Sequence, residues 1–364
     1  MKNKLIIFFT MSLWNEPHRG RHHYATQLSK DNVVIWVNRT LSWKEKYESP
    51  KLEEINSNLY VLHTGKSVLP HRFRVSEKLN NNRRIRLLNN FLKNKIGRKP
   101  DLLWLYDFTA EKITKYYSDS KSIYFCNDYF GEEAFLNYEV DLARKVDYVF
   151  CTAPKLMERF KKINENSYFI PHGIWPNEIP KRFEKKKNMD TVGYIGTLNN
   201  TLDLNFFYEI IKNTNCQLII GGPIIESSHN MKNLYAELFN HDRVSYIGNL
   251  NKKQMMLEIS KLDVCLIPYK CDKVGEYRFA LKFLEYLSMG KPIVATPFFD
   301  WPSPYNEFVN IYKENNSLNS FLTSVYNNWD YIYFEKALDI CENATWESRV
   351  EEINQLIYKE LVIL

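Results

Sequence analysis

The sequence predicts an α/β protein built from two doubly wound domains. Short apolar runs alternate with longer amphipathic stretches along most of the 364 residues, an order typical of βαβ units around a parallel sheet. The alternation pauses once, near residue 180, and then begins again. A chain of this length exceeds what one hydrophobic core usually serves, so two domains are expected.

The predicted strands form two series, one on each side of the pause. The first series comprises Leu5–Phe9, Val33–Val37, Leu59–His63, Leu102–Tyr106, Ser122–Cys126, Tyr148–Cys151 and Tyr168–Ile170. The second series comprises Thr191–Ile195, Gln217–Ile220, Val244–Ile247, Val264–Ile267 and Pro292–Ala295. Helical patterns in the second half cover Leu202–Lys212, Met231–Phe239, Lys252–Lys261, Phe279–Met289 and the tail from Tyr331, which ends in Trp346–Ile363. Ligands of such sheets bind outside the carboxyl ends of the strands.

The pause itself has the composition of a linker. Two prolines, Pro176 and Pro180, are followed by a charged run over residues 181–187. We therefore assign residues 1–174 to a first domain, 175–190 to a linker and 191–344 to a second domain. The C-terminal helix, about residues 345–364, is expected to pack back on the first domain.

Composition restricts the class of protein. Hydrophobic residues make up 45% and charged residues 25%, as in ordinary soluble globular proteins, and the net charge of +6 permits a polyanionic partner without requiring one. The six cysteines form no CxxC pair and no metal-binding spacing with histidine, so reduced core thiols are expected. No run approaches the ~20 apolar residues of a membrane span, and the first apolar run is too short for a signal peptide. A cytoplasmic protein is expected.

The segment from Glu276 to Trp301, EYRFALKFLEYLSMGKPIVATPFFDW, carries the most specific pattern. It resembles the signature of retaining GT-B glycosyltransferases of family 4, among them enzymes that build bacterial surface polysaccharides such as teichuronic acid. The matching positions are Leu281, Lys282, Glu285, Tyr286, Leu287, Gly290, Lys291, Pro292, Ile293 and Val294. Glycine turns follow the earlier strands in the same order as in that family. The resemblance implies a GT-B fold, two Rossmann-like doubly wound domains facing a central cleft, and transfer of a sugar, of hexosyltransferase type, from a nucleotide-sugar, with a UDP-sugar favoured.

The resemblance also implies a donor site in the second domain. Glu285 would accept hydrogen bonds from the ribose hydroxyls, and Lys282, on the same helical face, would lie near the diphosphate and contribute to catalysis. The remaining donor candidates are Arg278, which could add charge, and the loop residues Gly196, Thr197, Gly222, Asn249 and Leu250. The alternative for the charged members is an ordinary solvated helix face.

Two positions depart from the family pattern. Eight residues separate Glu276 from Glu285, where the family has seven, so Glu276 is either a catalytic carboxylate on a shifted loop or has lost that role. The turn at residues 196–200 lacks the basic residues of many relatives. The phosphates would then depend on backbone amides, on Thr197 and on the helix that carries Arg278 and Lys282.

Candidates on the acceptor side follow from their positions after strands or at the domain junction. Asp128 could act on the acceptor hydroxyl or on the transferred sugar, or it could cap the next helix. Arg21 and His22 precede a helix near the end of the first strand, and His172 lies at the junction, where a structural role is the alternative. No Asp-x-Asp motif stands at a strand end, so neither a metal nor another cofactor is expected.

A basic segment from Arg72 to Lys99 interleaves cations with apolar residues. It could contact an anionic membrane surface, which would place the protein at the inner face of the membrane beside a lipid-linked or glycan acceptor. Alternatively, it is a helix that packs its apolar side on the sheet. No nucleic-acid-binding motif accompanies the charge, so nucleic acid is not an expected partner.

Two other functions remain open at this point. A GT-B-fold sugar-nucleotide epimerase would act on the donor alone. A degenerate, non-catalytic GT-B protein would bind a nucleotide or glycan without turnover, and the two departures from the family pattern keep this alternative open.

Overall fold

The computed structural model describes residues 1–69, 74–131, 133–175, 183–225, 229–313 and 317–358. The chain divides into two compact units, one formed by Met1–Pro171 with Trp346–Leu364 and the other by His172–Thr345. Arg72, residues 176–182 of the predicted linker and the last residues of the predicted C-terminal helix lie outside the described residues.

Unit 1 is built on an eight-stranded sheet with the order β3-β4-β2-β1-β5-β6-β7-β8. Only β3, an edge strand, runs antiparallel to its neighbour. The strands are β1 Leu5–Phe9, β2 Val33–Val37, β3 Lys51–Asn56, β4 Leu59–His63, β5 Leu102–Leu105, β6 Lys121–Cys126, β7 Tyr148–Cys151 and β8 Ser167–Phe169. The helices are α1 Gly20–Leu28, α2 Arg74–Phe91 with a π-helical turn at Leu92–Ile96, α3 Glu111–Tyr116, α4 Glu133–Ala143 and α5 Pro154–Lys161.

Unit 2 is built on a six-stranded parallel sheet with the order β11-β10-β9-β12-β13-β14. The strands are β9 Thr191–Ile195, β10 Gln217–Gly221, β11 Val244–Tyr246, β12 Val264–Ile267, β13 Ile293–Ala295 and β14 Val309–Ile311. The helices are α6 Leu204–Asn213, α7 His229–Phe239, α8 Lys252–Lys261, α9 Leu281–Ser288, α10 Leu318–Asn328 and α11 Tyr331–Asn343, with 3-10 turns at Gly275–Tyr277 and Tyr305–Phe308.

The final helix, α12 (Trp346–Tyr358), belongs to unit 1. The Trp346 side chain is buried, and its ring lies 5.1 Å from that of Tyr24 on α1. Farther along the helix, Lys121 Nζ donates a hydrogen bond to the Ile357 carbonyl at 2.9 Å. The last helix and the first part of the chain therefore contribute to the same hydrophobic core.

The prediction of two doubly wound parallel sheets is confirmed, because every predicted strand is present within a residue or two of its predicted ends. The sequence missed β3 and β14. The β3 segment, KLEEIN, lies largely exposed at the edge of the sheet and so has no apolar run to reveal it. Parallel strands buried on both faces, such as β1 and β7, are continuous apolar runs and are easily recognised.

A buried guanidinium closes the carboxyl edge of the unit 1 sheet. Arg84 of α2 is fully buried and pairs with Asp107, whose Oδ2 lies 2.6 Å from Nη1. It also donates to the Thr10 carbonyl at 2.5 Å and to the Asn38 carbonyl at 3.1 Å, and its Cζ lies 3.8 Å from the Phe9 ring centroid. Thr10 and Asp107 follow β1 and β5, where the strand order changes direction. Arg84 thus occupies the point where many doubly wound sheets bind a ligand.

None of the six cysteines, all of which lie within the described residues, forms a disulfide; Cys271 is exposed and the other cysteines are buried. Among the described helices, none combines the length and the apolar character needed to cross a bilayer.

We predict that Arg84→Met destabilises unit 1 by about 3–5 kcal/mol, because the Asp107 carboxylate and several carbonyls would stay buried without a donor. Denaturant unfolding followed by tryptophan fluorescence measures this change. Arg86→Met, at an exposed position two residues later, is the matched control and should change the free energy of unfolding by less than about 0.5 kcal/mol. Equal effects of the two substitutions would contradict the role given to Arg84.

Candidate functional site

Three glycine turns meet at the carboxyl edge of the unit 2 sheet, after β9, β10 and β11. The Gly196 N–H donates to the Gly221 carbonyl at 2.8 Å, and the Gly222 N–H donates to the Gly248 carbonyl at 2.7 Å. Gly222 has a φ of +128°, and a Cβ atom there would lie 2.0 Å from the Gly196 carbonyl oxygen. Only glycine fits at Gly222, so the turns pack backbone against backbone and present no side chains at this point.

Several amides in these turns are available to a ligand. The backbone N–H groups of Thr197, Asn249 and Leu250 donate to no acceptor in the described part of the chain. Unpaired amides in turns of this kind can bind anionic or carbonyl oxygens. All three residues are among the donor-binding candidates predicted from the sequence.

Helix α9 is held against the end of β9 by a buried tyrosine. The Tyr286 hydroxyl accepts a hydrogen bond from the Ile195 N–H at 3.0 Å and lies 3.3 Å from the Ile195 carbonyl. Phe283, Leu284 and Leu287 are buried on the same helix. These contacts fix α9 beside the turn that contains Gly196, at the point where the strand order of unit 2 changes direction between β9 and β12.

The Glu285 carboxylate lies between two lysines. Lys252 Nζ, at the start of α8, donates to Oε1 at 2.9 Å, and Lys282 Nζ, one turn earlier on α9, lies 2.7 Å from Oε2. Glu285 is 5% exposed. Burial opposes ionisation, but the charges of Lys282 and Lys252 outweigh it and lower the pKa of Glu285 to about 2. The group is therefore a carboxylate throughout the physiological range, and it offers several acceptor lone pairs.

The Lys282 side chain passes close over Gly196 on its way to the Glu285 carboxylate. A Cβ atom at residue 196 would lie 2.7 Å from Lys282 Cε and 2.6 Å from the Tyr194 hydroxyl. The lysine nitrogen also lies 3.3 Å from Met255 Sδ. Its side chain is 17% exposed, so the ammonium stands at the edge of the buried cluster rather than free in solvent.

The N-terminus of α9 adds a second source of positive potential. The residue before the helix, Ala280, has no side chain that could cap the first amides. Unpaired amides at a helix N-terminus, together with the nearby Lys282 ammonium, favour an anion. The turns and α9 together can hold a group with phosphates at one end and hydroxyls at the other.

Three further candidates of unit 2 lie on or beside the segment before α9. Arg278 is half-buried, with its Cζ 5.6 Å from the centroid of the Tyr269 ring. Glu276 is exposed on the 3-10 turn. His172 is half-buried, and its ring centroid lies 6.3 Å from that of Phe279. The structure thus groups these three around one segment without bringing them into the ion pairs of Glu285.

In unit 1, Arg21 and Asp128 belong to one electrostatic neighbourhood. Asp128 is exposed just after β6, and Arg21 is 9% exposed on α1 with its Cζ 5.8 Å from the Tyr106 ring centroid. Burial lowers the pKa of Arg21, and the charges of Asp128 and Glu16 act against that lowering. Of these two predicted residues, Asp128 is the more accessible.

His22 requires a correction, because it lies in the interior and not on a surface that could meet an acceptor. Its side chain is fully buried, its Nδ1 accepts from the Arg19 N–H at 3.1 Å, and its Nε2 lies 3.4 Å from the Leu13 carbonyl. Its ring stacks on Trp36 and on His18 at centroid distances of 4.6 and 4.7 Å. Burial, followed by the charge of His18, lowers its pKa to about 3, so it stays neutral.

The described residues contain no group of three or more histidine, cysteine, aspartate or glutamate side chains arranged to hold a metal ion. The unit 2 site offers lysines and backbone amides, which bind anions, and one carboxylate that is already paired. The arrangement therefore suits a polyanionic ligand that also carries hydroxyl groups.

The sequence did not identify three contributors to the site: Lys252, Tyr286 as a structural hydrogen-bonding residue, and Gly248. The helical spacing of three residues relates Lys282 to Glu285, but no spacing rule relates a residue on α8 to one on α9. The feature of the sequence that could have identified Lys252 is its position just after the turn that follows β11.

Comparisons with known proteins agree with this architecture. Residues 190–310 match the family Glycosyl transferases group 1. Over 167 residues the chain is 23% identical to TuaH of Bacillus subtilis (strain 168), a glycosyltransferase named for teichuronic acid biosynthesis. That match covers 44% of this chain and 41% of TuaH, so the chain spans less than half the length of this relative.

Solved structures resemble the whole chain at low sequence identity. Sucrose-phosphate synthase from Thermosynechococcus elongatus superposes with a TM-score of 0.75 at 13% identity, covering 99% of each chain. HepE of Anabaena, solved with UDP and glucose, gives a TM-score of 0.67 at 14% identity and covers 100% of each chain. The predicted GT-B fold is confirmed, and the residues that match the family lie within unit 2.

The lowered pKa of Glu285 predicts a pH-dependent contribution to stability. Its pKa lies below the ordinary value of 4.5, so the stabilisation is fully present above about pH 5 and is lost as the pH falls toward about 2. The difference in free energy of unfolding between wild type and Glu285→Gln should therefore narrow as the pH is lowered from about 7 to about 3. Denaturant unfolding at each pH measures it, and a difference that does not change with pH would contradict the ion-pair account.

Proposed function

We propose that this chain, which carries a group 1 glycosyltransferase domain on a GT-B fold, transfers a sugar from a nucleoside-diphosphate sugar to a glycan or lipid-linked acceptor. A UDP-sugar is the favoured donor. Synthesis of a bacterial surface polysaccharide is the proposed context, supported by the likeness to TuaH. We further propose that the reaction retains anomeric configuration, as in family 4, and needs no metal.

The observation that carries this proposal is the pairing of Glu285 with Lys282 beside the glycine turns of unit 2. A nucleoside diphosphate presents a ribose diol and a pair of phosphates a few bonds apart. Residues three apart on a helix present their side chains about 5–6 Å from each other. Glu285 would accept hydrogen bonds from the diol, while Lys282 would turn from the carboxylate toward the diphosphate.

The same groups can stabilise the leaving diphosphate. As the bond between the sugar and the phosphate breaks, negative charge develops on the terminal phosphate oxygens. Fixed cations and dipoles aimed at that charge lower the barrier, since they need no reorganisation during the reaction. We assign this part to Lys282, to the N-terminal amides of α9 and to the Thr197 amide, with Arg278 as an additional cation.

On the acceptor side we propose Asp128 as the group that receives a proton from the attacking hydroxyl, with Arg21 beside it. Glu276 stays a candidate for the acidic role at the transferred sugar, supported by its exposure on the turn before α9. His172 keeps a structural role as its alternative.

The positive charge of the basic segment supports a peripheral membrane location, whereas its apolar residues do not. The apolar residues Ile85, Leu88 and Leu92 are buried within unit 1, which is the packed arrangement that the sequence offered as the alternative. Lys93 and Lys95 are exposed on the π-helical turn, and Arg72 lies outside the described residues. An anionic surface therefore stays a proposed partner whose binding should weaken steeply with salt.

We predict that one ribonucleoside diphosphate among UDP, GDP and ADP raises the melting temperature of the protein. A ligand at about a hundred times its dissociation constant adds about 2.7 kcal/mol of stability. Glu285→Gln should reduce binding of both the diphosphate and the corresponding nucleoside, because both carry the ribose diol. Lys282→Met should reduce binding of the diphosphate alone. Lys253→Met, at an exposed lysine next to Lys252, is the matched control and should leave both affinities unchanged.

Measuring the turnover of nucleotide-sugars distinguishes a transferase from the two alternatives, an epimerase and a non-catalytic binding protein. Release of the nucleoside diphosphate that requires an acceptor, or slow hydrolysis of the matching nucleotide-sugar, supports a transferase. Interconversion of the donor sugar without release would indicate an epimerase. Tight binding with no turnover of any sugar attached to the selected nucleotide would indicate a non-catalytic binding protein.

A further inference from the structure

Unit 1 contains a second candidate site, a cavity of about 990 Å³ bounded by α2, α3 and α4. Its volume is within the range of ligand pockets in proteins. None of the residues that we assign to donor or acceptor chemistry lines it.

The wall formed by α2 is long and regular. Lys78, Asn82, Arg86 and Asn90 line it at intervals of four residues, which places them in one row along the helix. At a rise of 1.5 Å per residue, this row extends over about 18 Å. The shape therefore suits an extended chain rather than a single small anion.

The groove carries an excess of positive charge, because four cations line it against two carboxylates: Lys78, Arg86, Lys112 and Lys115 against Glu77 and Glu111. Lys78 and Arg86 are exposed, and neither has a carboxylate partner among the residues that the structure describes. On the opposite wall, Lys112 Nζ lies 3.4 Å from Asn82 Oδ1, and Lys115 Nζ lies 3.6 Å from Glu111. The Glu111 carboxylate is also paired with Lys145 from outside the groove, so its charge is compensated.

The uncharged side chains of the groove are of the kind that bind sugars. Asn82 and Asn90 are exposed amides, each able to donate and to accept hydrogen bonds, as a hydroxyl does. Two tyrosine rings stand exposed at the walls, Tyr116 at 56% and Tyr138 at 37%. Flat rings with a polar edge can pack against the C–H face of a pyranose. The apolar residue of this wall, Ile85, is 4% exposed and offers little surface to lipid tails.

We propose that this groove binds an acidic oligosaccharide, with its chain along α2 and its carboxylate or phosphate groups near Lys78, Arg86, Lys112 and Lys115. Amide and tyrosine side chains contact the sugar hydroxyls and ring faces. Identification of this oligosaccharide as the acceptor rests on the proposed function, but the binding itself does not. A flat anionic bilayer fits the concave shape less well, because it would contact the rims and leave the floor unfilled.

Binding is measured by isothermal titration calorimetry on the full chain with three oligosaccharides of similar length. An oligogalacturonate supplies carboxylates, an oligo(glycerol phosphate) carrying sugar substituents supplies phosphates, and a malto-oligosaccharide supplies neither. We expect at least one acidic oligomer to bind and the neutral one to bind more weakly. The double variant Arg86→Gln/Lys112→Gln should weaken acidic binding by about tenfold or more.

The matched control is Lys93→Gln/Lys95→Gln, which removes the same charge from exposed positions of the π-helical turn outside the groove. It should leave the dissociation constant unchanged. Equal losses in both double variants, or no binding of either acidic oligomer, would overturn the proposal. So would binding to anionic phosphatidylserine vesicles alone that the groove variant abolishes, since this would make the groove a lipid-surface site.

The test of the groove can fail or succeed independently of the test of the proposed transferase function. Nucleotide binding, nucleotide-sugar turnover and oligosaccharide binding are measured on the wild-type chain and on the groove variant. If acidic oligomers bind but no nucleotide-sugar is turned over, the groove stands and the transferase proposal fails. If turnover occurs on another acceptor while the oligomers do not bind, the transferase proposal stands and the groove assignment fails.

Discussion

The Glu285 carboxylate can stay buried and ionised only because two lysines from different helices meet it. Lys282 reaches it across Gly196, where a side chain would collide with the lysine. The helix that carries both residues is fixed to the end of β9 by the Tyr286 hydroxyl. The position of this one ion pair therefore depends on the strand order, on a glycine turn and on a buried tyrosine together. Loss of any of these elements would leave a buried charge without a partner, which is costly.

The two units treat the carboxyl edges of their sheets in opposite ways. In unit 1, the Arg84 guanidinium and Asp107 fill the switch point and satisfy the carbonyl of Thr10. In unit 2, bare glycine turns and unpaired amides occupy the corresponding point, with Lys282 at its border. Two sheets of the same class are thus used differently, one closed by the protein itself and one suited to an anionic ligand. This difference supports placing the donor in unit 2.

Much of the fold could be predicted because buried parallel strands are continuous apolar runs bounded by turns. The exposed edge strand β3 gives no such signal. The pairing of Lys282 with Glu285 follows from helical spacing, whereas the contact with Lys252 depends on how two helices are placed in space. The polar character of a residue did not reveal its burial in two cases. Arg84 lies in a basic segment yet is buried, and His22 stands between polar neighbours yet belongs to an aromatic core.

We propose that the turns and α9 of unit 2 bind the nucleoside diphosphate. Amide hydrogen exchange, with and without the nucleoside diphosphate at saturation, tests it directly and needs no acceptor. We expect slower exchange at Thr197, at Asn249 and Leu250, and at the first amides of α9, because these N–H groups would gain acceptors. Exchange that is unchanged there, or protection confined to unit 1, would contradict the assignment of the donor site.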